Sequence, residues 1–113
     1  MFAIIYQMYV DETDEKEFQQ AWHQVASYFT QYRGALGSCL HKTDNGVWLA
    51  YSRWPDKATR DASWNTDGAP LADLPDDIKS AILKMKSCTN NALKLPEIHM
   101  QVIDDLLHKK KNE

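Results

Sequence analysis

The first strand-like segment constrains this chain more than any other feature. Residues 2–10 are rich in β-forming side chains, and the even positions Phe2, Ile4, Tyr6, Met8 and Val10 are all apolar. The odd positions Ala3, Ile5, Gln7 and Tyr9 are largely apolar as well. A strand with one wet face alternates more cleanly, because successive side chains leave on opposite sides of the sheet. Both faces of this strand are therefore expected to be covered. The segment is too short to span a bilayer, and it lacks a basic leader and a small-residue cleavage site. It reads as a strand retained in the mature protein.

An acidic stretch, residues 11–17, then opens a helix, since negative side chains favour the positive end of the helix dipole. Phe18, Trp22, Val25, Phe29 and Tyr32 form a continuous apolar stripe, and Arg33-Gly34 supplies the stop. Residues 35–42 and 47–54 flank Thr43-Asp44-Asn45-Gly46, a strong hairpin signal. With Asn45-Gly46 as a two-residue type I′ loop, Leu40 lies opposite Tyr51 and Lys42 opposite Leu49. The other face then holds Cys39 against Ser52, His41 against Ala50, and Gly37 against Trp54. A short helix is expected over 57–65, followed by a turn cluster over 65–70. A second helix begins at Pro75, in the first helical position, and runs to about Cys88, with Ile78, Ile82, Leu83 and Met85 inward. Residues 97–103 alternate as a last strand.

Strand, helix, hairpin, helical region and strand make the βαββαβ order of a ferredoxin-like α+β fold, with both crossover helices on one face of an antiparallel sheet. The opposite face would be wet, which the two-sided first strand contradicts. A second copy laid sheet against sheet resolves the conflict as a dimeric α+β barrel. The weaker alternative folds residues 104–108 back over that face. A chain of 113 residues is sized for one domain, here placed at 1–108, with 109–113 as a disordered basic tail. The net charge of −3 gives no electrostatic reason to expect nucleic acid or a membrane as partner. Cys39 and Cys88 form neither a metal-spaced pair nor a disulfide framework, so a cytoplasmic location is expected. Phosphate loops, zinc spacings and Ser-His-Asp signatures are absent from the sequence.

Residues 47–64, VWLAYSRWPDKATRDASW, resemble the strand-to-helix signature of the antibiotic biosynthesis monooxygenase family. There an aromatic strand ends in Trp, a proline or acidic turn follows, and a short helix carries another aromatic. The likeness covers roughly residues 1–66 and 97–103, and the stretch 67–96 is longer than the usual pattern. The resemblance implies a homodimeric barrel with a pocket between helices and sheet, and a cofactor-independent oxygenase acting on a quinol or similar small aromatic. A non-catalytic ligand-binding dimer is the alternative, with haem degradation third. The haem-degrading branch carries its axial histidine about ten residues beyond the helix Trp, where this chain has Leu74.

Several residues are candidates for the site. Gln7 interrupts the first strand near a point where related enzymes carry an amide, and it is a catalytic candidate or simply a partly exposed side chain. His41, read as sharing a small-residue face with Cys39 and Ser52, is a candidate general base toward a phenol, or a surface histidine. Trp64, Tyr6, Tyr51 and Trp54 are candidates to stack on a flat ligand, against the plainer reading that they fill core and interface. No cofactor and no metal are expected.

Overall fold

A computed structural model describes residues 1–64, 69–90 and 95–107. Four antiparallel strands, β1 (Phe2–Tyr9), β2 (Gly37–Lys42), β3 (Val47–Trp54) and β4 (Ile98–Gln101), lie in the order β2-β3-β1-β4. That is the ferredoxin-like arrangement the element order predicts. Helix α1 (Glu15–Tyr32) follows a 3-10 turn, Glu12–Asp14. The short α2 (Lys57–Asp61) follows β3, and α3 (Asp76–Cys88) precedes β4. The expected basic tail and part of the expected 65–70 turn cluster lie outside the described residues.

Helix α1 buries Phe18, Ala21, Val25 and Phe29, and α3 buries Ile78, Ala81, Ile82 and Cys88. The core forms where these meet Phe2, Ile4 and Trp54 of the sheet. Both helices pack against the even-numbered side of β1. Glycine ends α1 as expected: Gly34 has φ +84°, and the Ala35 amide closes back on the Phe29 carbonyl at 3.2 Å. Three local expectations need correction. Tyr32 and Leu83, read as inward, are 64% and 56% exposed. Pro75 caps α3 from outside rather than occupying its first turn.

The hairpin register also differs from expectation, by one residue. Leu40 pairs with Ala50, Ser38 with Ser52, Cys39 with Tyr51 and His41 with Leu49. Only Gly46 adopts a positive φ in the loop, +89°, while Asn45 does not. The loop is thus Asp44-Asn45-Gly46, a three-residue connection closed by the Thr43 amide on the Val47 carbonyl (2.8 Å). Slipping a strand by one residue turns each of its side chains to the other face. Ser38 and Leu40 therefore join Ala50, Ser52 and Trp54 beneath the helices, while Cys39 and His41 move to the opposite, open face.

That open face carries Ile5, Tyr9, Leu49, Tyr51, Ile98 and Met100, as the pairings of β1 with β3 and β4 require. The chain after β4 reaches over one end of it. Arg53 projects from this face and meets the Asp105 carboxylate at 2.5 Å, both side chains being mostly covered. Ala3 beside Arg53 is only 1% exposed.

Candidate functional site

Small side chains on the sheet leave a void that the helices do not fill. Ser38, Ala50 and Ser52 sit side by side on β2 and β3, facing α1. Above them Val25, Ala26 and Phe29 of α1 form the opposite wall of a cavity of about 370 Å³. That volume falls within the range of small-molecule pockets. Trp54 and Trp64 add aromatic walls: the Trp64 ring meets Phe29 edge-on at 4.9 Å and lies 6.4 Å from Tyr6.

Polar side chains interrupt this apolar lining, Lys86 and Thr89 among them, and two of the features they form are built by hydrogen bonds across the fold. The Ser38 and Ser52 hydroxyls are hydrogen-bonded to one another at 2.8 Å. The other feature is a corner built by α2 and the residues before β4. Asp56 caps α2 by accepting the Thr59 amide (2.7 Å) and hydroxyl (2.8 Å), and these contacts hold its carboxyl below the ordinary range. The helix so fixed presents Arg60. Its Nε donates to the Tyr6 hydroxyl at 3.2 Å, and its Nη2 reaches both Glu97 oxygens at 2.9 and 2.8 Å. Glu97 also accepts from His99 Nε2 at 2.9 Å. Burial pushes the Tyr6 hydroxyl above its usual pKa, and the Arg60 charge only partly offsets this. Tyr6 is consequently a neutral phenol at physiological pH. Burial works against the charge on Arg60, but its partners hold the guanidinium protonated.

The family model for antibiotic biosynthesis monooxygenase matches residues 1–69. The chain belongs to this family. Comparison with curated proteins finds no match. Among solved structures, a family protein from Caulobacter crescentus superposes with a TM-score of 0.68 at 14% identity, covering 91% of this chain and 90% of that one. One from Chloroflexus aurantiacus gives 0.68 at 13% identity, over 92% and 94%. One from Deinococcus radiodurans gives 0.66 at 13% identity, over 97% and 100%. At such identities these likenesses speak for the fold alone.

Within this antibiotic biosynthesis monooxygenase domain, the structure brings Tyr6, Trp54 and Trp64 together at the cavity. Gln7 reaches the rim, but as an odd position of β1 it leaves on the open face, where its Nε2 donates to the Pro96 carbonyl at 3.0 Å. Tyr51 and His41 lie on the open face as well, with the His41 ring against the Leu49 carbonyl at 3.3 Å. The expected grouping of His41 with Ser52 is corrected by the one-residue register shift. Leu74, at the haem-ligand position, is buried in the core. Among the described residues, no group of three or more His, Cys, Asp or Glu side chains is placed to hold a metal. No described helix is long and apolar enough to cross a membrane. Sequence reasoning missed Arg60, Glu97 and the Ser38–Ser52 pair. Arg60 is 54 positions from Tyr6 and 37 from Glu97, so spacing carried no sign of the corner. The signature holds three cations, Arg53, Lys57 and Arg60, and nothing in their spacing singles out Arg60.

Proposed function

We propose that this protein is a cofactor-independent oxygenase whose cavity takes a flat, electron-rich phenol or quinol, and that its working unit is a homodimer. The observation that carries the reading is the cavity of about 370 Å³, with a floor of small residues, aromatic walls and one polar corner. A quinol needs little from a protein to react with dioxygen. It gives two electrons in becoming a quinone, and two more as a ring C–H becomes C–OH. Dioxygen takes all four, leaving one atom in the hydroxyquinone and one in water. The chain's contribution is to hold the ring, exclude bulk water and place donors around the oxygen that bears the charge. No histidine lines the cavity among the described residues, so hydrogen-bond donors rather than an imidazole base favour ionisation.

Oxygen uptake with a panel of reduced quinols tests the reading. Trp64→Ala removes an aromatic wall and is expected to lower kcat/KM by about tenfold. Lys16→Ala, on the exposed side of α1, should leave it unchanged. Saturable ligand binding without any oxygen uptake would instead make the protein a binding module with the same fold.

A further inference from the structure

The Tyr6 hydroxyl carries a proton that no described residue accepts. A phenol offers one donor and can accept in turn. The Tyr6 oxygen accepts Arg60 Nε–H, and that is its one hydrogen bond among the described residues. Tyr6 lines the cavity, and its raised pKa keeps the proton in place at neutral pH.

Each of the three Arg60 nitrogens already has a partner. Nε serves Tyr6, Nη1 serves Asp61 at 3.1 Å, and Nη2 serves both Glu97 oxygens. Its charge already faces two carboxylates, so it presents no open fork to a carboxylate ligand. What it can do is polarise the Tyr6 O–H bond by donating to the same oxygen.

We propose that Tyr6 is the ligand-contacting donor of the cavity and Arg60 its positioning residue, so that the site selects aromatic ligands by a ring oxygen and not by a carboxylate. A phenol, a phenolate or a quinone carbonyl satisfies the free donor. A carboxylate would enter a mostly apolar space beside Glu97, where both lining cations are already engaged: Arg60 with its carboxylates, and Lys86 with a partner of its own. The assignment deepens the proposed function by naming the group recognised, and it rests on that reading for the cavity being the substrate site.

The test uses 1,8-dihydroxyanthraquinone, which carries ring hydroxyls but is already oxidised, with anthraquinone-2-carboxylate as comparator. Fluorescence quenching gives affinity, and the visible band reports ionisation of the bound probe. The dihydroxy probe is expected to bind the wild-type protein more tightly than the carboxylate. Tyr6→Phe should weaken it roughly tenfold, the loss of one polarised hydrogen bond. The bound probe should also ionise at a higher pH in Tyr6→Phe than in wild type. Arg60→Met should reproduce that rise, and Arg60→Lys should restore part of it. A purely structural role for Arg60 would move affinity without moving the ionisation. Unchanged affinity and ionisation in Tyr6→Phe would overturn the assignment. So would tighter binding of the carboxylate, or no saturable binding of the dihydroxy probe. Should Tyr6→Phe fail to fold, the Arg60 pair decides the matter by the same readouts. The probe is not turned over, so these results with no quinol-driven oxygen uptake would refute the oxygenase reading alone. Unaltered oxygen uptake in Tyr6→Phe would refute the Tyr6 assignment alone.

Discussion

Burial of the Tyr6 ring raises the pKa of its hydroxyl, and the Arg60 guanidinium opposes that rise without reversing it. A group whose folded pKa exceeds its unfolded value contributes stability in full below the unfolded value, 10.0 for tyrosine, and loses it as pH climbs through the folded value. The protonated phenol is the form the folded state prefers, so alkali favours unfolding. Replacing Tyr6 by Phe also leaves Arg60 Nε short of an acceptor, which costs about 1 kcal/mol at neutral pH. Urea melts of wild type and Tyr6→Phe should therefore differ most below pH 10 and converge above it. Other tyrosines and lysines titrate alike in both proteins and cancel in the difference. Parallel stability curves across that range would mean that the phenol is not held neutral by its surroundings.

The β2–β3 hairpin sets which side chains reach the cavity, and its loop sets the hairpin. Gly46 sits at φ +89°, where an added Cβ would meet nothing within 4 Å, so any cost of substitution is purely conformational. Gly46→Ala should destabilise the protein by about 1 kcal/mol, and Gly46→Asn by less, because Asn tolerates the left-handed region better. Equilibrium urea unfolding measures both, and equal stability of all three proteins would refute the account. The same loop shows where sequence reading stopped. Hydrophobic periodicity and the Asn-Gly pair disclose both strands. The pair is compatible with a two-residue loop, which needs Asn45 at positive φ, and with a three-residue loop, which needs only Gly46 there. Thr43 tips the balance by bracing the wider loop: its hydroxyl donates to the Val47 carbonyl at 2.8 Å and accepts the Val47 amide at 3.1 Å. That contact is local, but it depends on the three-dimensional path of the loop, which the Asn-Gly pair alone does not specify. It decides whether Ser38 or Cys39 faces the helices, and so whether His41 can approach the cavity. Tyr32 is exposed because it is the last residue of α1, beyond the surface that covers Phe29, whereas Leu83 lies mid-helix but off the buried stripe of Ile78, Ala81, Ile82 and Cys88.

For the molecule as a whole, the two faces of the sheet call for different occupants. The helix side encloses the cavity. The other side holds half-buried Ile5, Leu49, Tyr51 and Met100, with no helix above them among the described residues. Strand β4 makes the polarity plain: at this edge His99 and Gln101 turn toward the helix side, while Ile98 and Met100 turn away from it. A monomer whose open face met water would show the reverse. The chain after β4 does not settle the matter by covering that face itself. Asp105 reaches Arg53 at one end, but Ile103, Leu106 and Leu107 stay 86%, 83% and 77% exposed, adding apolar surface rather than hiding it. A second copy is the proposed cover, and burial of about 1,200–2,000 Å² in total would suffice for a stable pair. Sedimentation velocity at micromolar concentration should then give twice the 13.0 kDa chain mass. Ile98→Glu or Leu49→Glu should shift the boundary to the single-chain mass, because a carboxylate would be stranded within an apolar contact. Ligand affinity should change little in these variants, since the cavity lies across the sheet from both positions. A wild-type protein that sediments as one chain would leave the two-sided first strand without a partner and remove the homodimer from the proposed function.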